Sequence, residues 1–160
     1  MEDFRVGIGQ DSHKFSSDPN RKLFLGGVEI ADEMGLEGNS DADVVIHAVC
    51  RALEQAIGGK CFSVYADEMN GKGIVDSREY LKVSVSHVKE KGYAINNVGI
   101  LIEAKKPNIL KISENMKNVL SQILETAEEN IGINATSGEE MTPFGKGEGI
   151  QAFAIVSLIR

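Results

Sequence analysis

Apolar and polar positions alternate from the start of the chain. Phe4, Val6 and Ile8 fall on one side of an extended segment, and Arg5, Gly7, Gly9, Asp11 and His13 on the other, because successive strand side chains point to opposite faces. The pattern predicts a strand over residues 4–10 that runs on toward His13, with the two glycines clearing one face. Asp18, Pro19 and Asn20 mark a polar turn. Leu23 to Ile30 reads as a second strand, with Gly26-Gly27 inside it as a bulge or a point of close approach.

The period then changes. Val45, Ala48, Val49, Ala52 and Ala56 repeat at helical spacing. They predict a helix from Ser40 to about Ile57, with Ser40 as N-cap and Asp43 as its short-armed capping partner. Residues 60–75 show little periodicity and read as a loop. Asp76 with Glu79 fits a capping box, Leu81, Val85 and Val88 form a stripe, and Gly92 closes the helix. His87 lies off that stripe and is expected on the surface. Val98, Ile100 and Ile102 alternate in a strand from Tyr93 to Ala104. Pro107 suits a helix start, and Ile112, Met116, Val119, Leu120, Ile123 and Ala127 give the clearest helical period in the chain. A short strand follows over Ile131–Ser137.

The last segment, Ile150 to Ile159, is apolar on both faces. Such a strand wants cover on both sides. The helices of its own chain can supply one, and a neighbouring subunit the other. The element order predicts an α/β fold of the α+β type: a mixed sheet backed by two to three helices on one face, forming one domain over residues 1–160.

Composition narrows the function. With 42% hydrophobic residues in 160, a core can be buried. The net charge of -7 argues against nucleic acid as a partner. No apolar run approaches the roughly 20 residues that cross a bilayer, so no membrane role is expected. The acidic start Met1-Glu2-Asp3-Phe4 resembles neither a secretory signal nor a transit peptide. Cys50 and Cys61, outside any CxxC, are expected as reduced thiols in a cytoplasmic protein. Gly58-Gly59-Lys60 lacks the upstream glycine and following Ser/Thr of a P-loop. Gly145 to Gly149 could cradle an anion.

The candidate chemistry lies in three residues. Asp11 and His13 stand at i, i+2 on one strand face, and His47 stands on a polar helix face with Asp43 and Arg51 at i, i+4 steps. A carboxylate and two imidazoles suit zinc, and three protein ligands leave a tetrahedral ion one open position. That is the arrangement of a catalytic site.

Segments spread along the whole chain carry a resemblance: Gly7 to His13, Leu25-Gly26-Gly27-Val28, Ser40 to Ala48, Asp76-Ser77-Arg78-Glu79, Ala104-Lys105-Lys106-Pro107, Ala135-Thr136, and Gly147 to Ile150. In order and spacing the chain resembles the 2-C-methyl-D-erythritol 2,4-cyclodiphosphate synthase family. The resemblance implies cyclisation of a cytidine-diphosphate-linked methylerythritol 2-phosphate with release of CMP, in non-mevalonate isoprenoid biosynthesis. It implies a homotrimer with active sites at subunit boundaries. It implies zinc on Asp11, His13 and His47, and a second divalent ion, magnesium or manganese, held by Glu139 between the α- and β-phosphates.

By the same match, Thr136 and Ser137 form a polar pair near the phosphates. Ala104 to Leu110, with Pro107, form the cytosine pocket, and Lys146 stands where the family usually has Arg. Ser12, Ser40 and Gly138 join the set expected to touch substrate. Asn39 replaces a histidine that supports the transition state, and is carried with Ser137 as a catalytic position. Asn108 replaces a lysine beside the cytidyl phosphate. After Ile57 the family's Asp-Ile-Gly is absent, as is the Pro-Asp that should follow Phe62. Two alternatives stand beside this reading: a metal-dependent homologue with another phosphorylated substrate, and a non-catalytic trimer that binds isoprenoid phosphates in a central channel. Glu139 favours an enzyme, since a structural zinc would not need it.

Overall fold

The computed structural model describes residues 3–160. Its strands are β1 (Phe4–Lys14), β2 (Leu23–Leu25), β3 (Val28–Ile30), β4 (Ala94–Glu103), β5 (Ile131–Thr136) and β6 (Gly149–Ile159). Its helices are α1 (Val44–Ala56), α2 (Ser63–Gly71), α3 (Ser77–Glu90) and α4 (Ser113–Leu124). The main sheet runs β1-β6-β4-β5. β4 and β5 are parallel and the other pairs antiparallel, so the sheet is mixed as expected. Among the described residues there are four α-helices rather than two to three.

One face of the sheet carries the core. Ile150, Ala152, Ala154, Val156 and Leu158 of β6 are buried there beside Val98, Ile100 and Ile102 of β4. α1 lies across β1 and β6 and also packs on α3. Enclosed on several sides, it buries Ile46, Cys50 and Leu53 as well as the stripe that its period marks. Burial pushes the Cys50 thiol up to about 12, which leaves it unreactive.

The approach of α1 to β1 is set by two glycines. A Cβ on Gly9 would stand 2.0 Å from the Ala48 carbonyl oxygen, and one on Gly7 would stand 2.1 Å from that of Ala52. Strand and helix backbones therefore touch, and the Gln55 side chain reaches down to accept a hydrogen bond from the Ile8 N–H at 2.7 Å. That contact also occupies a donor on an edge strand, where an unpaired N–H invites association.

Several elements differ from expectation. Residues 23–30 form a hairpin, not one strand. Gly26 and Gly27, at φ 58° and 79°, make its two-residue turn, a conformation that glycine adopts without steric cost. Asp43, not Ser40, caps α1. Its carboxylate accepts from Val45 and Ile46 N–H and also from Gly26 and Gly27 N–H, at 2.7 to 3.1 Å. One buried side chain thus ties the hairpin to the helix. Burial and the nearby Asp41 charge push the Asp43 carboxyl up, against the pull of those N–H groups.

Residues 60–75 are not a loop throughout, because α2 occupies 63–71. Of α2's own residues only Ala66 is buried, so no apolar period announces it. α4 starts at Ser113 instead of Pro107, since Asn108 caps a separate 3-10 turn over Ile109–Lys111. His87 is half-buried rather than free on the surface. It pairs with the buried Glu54 carboxylate at 2.8 Å, which supplies the partner that a buried charge requires.

Among the described residues, no helix covers the outer face of the sheet. Val6, Ile8 and Ile155 are more than half exposed there, with Leu101 and Phe153 beside them. No described helix is long and apolar enough to cross a membrane.

Substituting Gly9→Ala should force α1 off β1. Overpacking of this kind costs about 1–3 kcal/mol or more. Urea unfolding at fixed chain concentration is expected to show a loss at the upper end of that range, because the clash is with backbone.

Candidate metal centre

Strand alternation and the β1–α1 contact bring three ligand atoms together. Asp11 and His13 leave the helix-facing side of β1, just past the two glycines, and His47 comes down from the first turn of α1. His13 Nε2 lies 3.2 Å and His47 Nδ1 2.9 Å from Asp11 Oδ2. The ligand atoms of all three residues lie within 4.8 Å of one another. Tetrahedral bonds of about 2.0–2.1 Å place neighbouring ligands about 3.3 Å apart, so the cluster has the dimensions of such a shell. His47 is buried and the other two are half-buried.

A second layer orients His47. Ser77 Oγ donates to Asp41 Oδ1, and Ser77 N donates to Asp41 Oδ2 at 2.9 Å. With its proton committed, Ser77 Oγ accepts from His47 Nε2–H at 2.8 Å. The lone pair of His47 Nδ1 then faces the Asp11 carboxylate. That arrangement calls for a cation between them, either a second ring proton or a metal ion. The donor set of two imidazoles and one carboxylate fits a divalent metal. Burial raises the Asp11 carboxyl, but hydrogen bonds and charge from His13 and His47 outweigh it and hold the group well below the usual carboxylate range.

These atoms form one wall of a cavity of about 190 Å³. Asn39 and Ser40 line it beside the ligands. Arg51 enters it with Nη2 at 3.5 Å from Asp11 Oδ1 and its guanidinium stacked 4.7 Å over Phe62. Ser63, Ala66, Asp67 and Asn70 of α2 form the opposite wall.

The sequence model described as the YgbB family matches residues 4–159. The chain belongs to the YgbB family. Similar curated proteins include the 2-C-methyl-D-erythritol 2,4-cyclodiphosphate synthase of Brachyspira hyodysenteriae, 41% identical over 157 residues, which cover 98% of each chain. That of Chlamydia muridarum is 39% identical over 158 residues, covering 98% of this chain and 88% of the relative. Among solved structures, IspF of Plasmodium falciparum in its CDP complex matches with TM-score 0.85 at 27% identity, over 98% of this chain and 96% of that one. The bifunctional IspDF of Campylobacter jejuni matches with TM-score 0.90 at 31% identity, over 99% of this chain and 43% of that one.

In this YgbB-family chain the other expected site residues lie elsewhere. Ala104, Pro107, Leu110, Thr136 and Ser137 line a second cavity of about 530 Å³. Glu139 and Lys146 are exposed in the turns after β5, and Glu139 is not part of the three-residue cluster. Gly138 N–H donates to Thr136 Oγ1 at 3.2 Å, and Gly138, Glu139 and Glu140 all take positive φ, which shapes a tight turn.

Sheet register separates the two groups. Asp11 aligns with Ala152, Ile102 and Ala135 across the sheet, while Ser12 aligns with Gln151, Glu103 and Thr136. The Asp11–His13 pair and the turn after β5 therefore share one end of the sheet, but Asp11 faces the helices and Thr136 the outer side. Three strand spacings of about 4.8 Å put their edges about 14 Å apart. A single chain does not bring Thr136, Ser137 or Glu139 beside Asp11.

Asp41 and Ser77 stood in segments that carry the resemblance but had no role assigned from the sequence, and the α2 wall was passed over. Arg51 carried a signal, the i, i+4 step from His47. Nothing local signalled that Ser77 and Asp41 pair, because the pairing spans 36 positions.

Ser77→Ala should release His47 Nε2 without touching a ligand. Metal affinity, read by titration with cobalt(II) and its visible spectrum, is expected to fall about 10- to 100-fold, whereas His47→Ala should abolish the tetrahedral signature.

Proposed function

We propose that this chain catalyses the metal-dependent cyclisation of 4-diphosphocytidyl-2-C-methyl-D-erythritol 2-phosphate to 2-C-methyl-D-erythritol 2,4-cyclodiphosphate, with release of CMP, in non-mevalonate isoprenoid biosynthesis. The observation that carries this reading is the Asp11–His13–His47 cluster, oriented for a cation, in a chain related along nearly its whole length to proteins named for that product. A 2-phosphate oxygen attacks the β-phosphorus, the bond from that phosphorus to the α-phosphate's bridging oxygen breaks, and CMP leaves with the electron pair. Such a step needs positioning and charge neutralisation more than covalent help from the protein.

A divalent ion, zinc in this proposal, supplies a Lewis acid and template for a β-phosphate oxygen when bound. The residues do the rest. Asp11, His13 and His47 hold that position, and Glu139 serves a second ion, magnesium or manganese. Thr136, Ser137 and the Gly138 turn offer hydroxyl and N–H donors to the phosphates, with Lys146 adding charge. Lys146 lacks the bidentate fork of an arginine. Ala104, Pro107 and Leu110 receive the base. Asn39, with Ser40 beside it in the metal-side cavity, donates hydrogen bonds where a charged histidine would do more, and Ser12, on the outer face in line with Thr136, is a further substrate contact.

The active form in this proposal is a homotrimer. The apolar outer faces of three sheets pack together, so that the metal centre of one copy meets the phosphate turn of the next. Support comes from the uncovered Val6, Ile8, Phe153 and Ile155, and from the register that keeps the two half-sites apart in one chain. The number three rests on the resemblance alone.

Two outcomes are expected. Zinc- and magnesium-loaded protein should release CMP from the named substrate, and Asn39→His should be as fast or faster. Absence of CMP, while a related synthase turns over beside it, would refute this reading and promote that of a metal-dependent homologue with another phosphorylated substrate. Light scattering should give three times the 17.3 kDa chain mass, and Ile155→Asp should reduce both mass and turnover.

A further inference from the structure

The segment that joins the β2–β3 hairpin to α1 passes directly beside the metal cluster. A Cβ on Gly38 would stand 3.5 Å from His13 Cε1, and Asn39 and Ser40 line the cavity with Asp11, His13 and His47. The backbone on either side is tied down. Gly35 N–H donates to the Arg21 carbonyl at 3.0 Å, Glu37 N–H to that of Lys14 at 2.8 Å, and Asp41 N–H to that of Val75 at 3.0 Å. Between these ties, among the described residues, no backbone–backbone hydrogen bond engages Gly38, Asn39 or Ser40. They belong to no helix or strand.

One side chain fills that gap. Arg21 Nε donates to the Leu36 carbonyl at 2.9 Å, and Nη2 donates to the carbonyls of Gly38, at 3.1 Å, and of Ser40. Among the described residues, its side chain bonds only to carbonyls of this one segment. A planar guanidinium carries its N–H donors in a rigid fork, so it can hold several acceptors at once. Its stem is seated on bare backbone, since a Cβ on Gly35 would stand 2.5 Å from Arg21 Cγ. The carbonyl and N–H of one trans peptide point in opposite directions. Glu37 and Asp41 spend the opposite direction on Lys14 and Val75. Asn39 N–H, in the peptide between them, is turned away from Arg21 as well. Arg21 thus sets the peptide plane that enters Asn39 and the one that leaves Ser40. With both planes set, few directions remain for the two side chains.

We propose that Arg21 is a positioning residue for the reaction: its guanidinium holds residues 38–40 so that Asn39 and Ser40 stay aimed into the metal-side cavity. Arg21 does not itself line that cavity. Resting on the reaction proposed above, it acts on turnover through those two side chains and touches neither substrate nor metal.

The test compares Arg21→Lys with wild type in the full-length, zinc-loaded protein. Lysine keeps a long stem and the charge but loses the fork. Hydrogen exchange at the amides of residues 38–41 should speed up about 10-fold, the effect of losing one ordinary hydrogen bond, while α3 and β4 exchange as in wild type. The kcat/KM for CMP release should fall roughly 10- to 100-fold, as it does when reacting groups are displaced, with zinc content unchanged. In an Asn39→Ala/Ser40→Ala background the same change should cost no more than about 2-fold, because Arg21 then has nothing to position. Unchanged exchange at 38–41, an equal fall in both backgrounds, or lost zinc would overturn the inference. If Arg21→Lys does not fold, nitrogen-15 NMR of the wild type supplies the test. Arg21 Nε–H should be protected and its guanidinium should rotate slowly, whereas a freely rotating group overturns the inference. If the wild type releases no CMP, the proposed reaction fails, and the exchange measurement alone decides whether Arg21 holds the segment. If the wild type turns over and Arg21→Lys is as fast, only this inference fails.

Discussion

The structure depends on the direct contact between the backbones of α1 and β1. Gly7 and Gly9 leave no side chain between strand and helix, and α1 settles until Ala48 and Ala52 lie against the strand. Everything at the metal centre follows from that distance. His47 rides on the turn of α1 above Asp11, and a methyl group inserted under Ala48 would lift it away. Asp43 secures the same helix from its other end by joining its N-terminus to the β2–β3 turn. Two small-residue contacts and one buried carboxylate therefore hold a ligand in place that belongs to neither the sheet nor the hairpin.

Electrostatics then sets the chemistry. The chain is acidic, yet the proposed reactant carries three phosphates. Direct burial of phosphates near Asp11, Asp41, Asp67 and Glu139 would be repulsive, at about 1–4 kcal/mol for each pair of charges 4 Å apart in a medium between water and a protein surface. Cations relieve this, and the Asp41–Ser77–His47 chain prepares for one by keeping a lone pair on His47 Nδ1 turned inward.

The sheet determines how the site is divided. Because Asp11 and Thr136 stand on opposite faces at the same end, the fold separates the Asp11–His13–His47 cluster from the turn after β5 within one subunit. The uncovered apolar outer face offers a way to reunite them between copies. Assembly and catalysis would then be linked by the same strand alternation that builds the core.

Much of this was legible in the sequence. The period-2 run through Ile8 placed Asp11 and His13 on one face, and the helical period from Val45 placed His47 on a helix, since local periodicity reflects which side is buried. The final strand's two apolar faces foretold an uncovered sheet. Other features had no local signal. α2 was missed because only Ala66 of its residues is buried, with Tyr65 and Met69 packed on the core only in part, and so short an apolar set gives a weak period. The N-cap shifted from Ser40 to Asp43 because the decisive partners, Gly26 and Gly27, are 16 or more positions away. His87 found Glu54, and Ser77 found Asp41, by the same long-range packing. Residue types and spacing determined which ligands the chain carries and which faces it buries. Only the tertiary structure decided which groups meet, because hydrogen bonds and close backbone contacts form between segments whose separation in sequence says nothing of their distance in space.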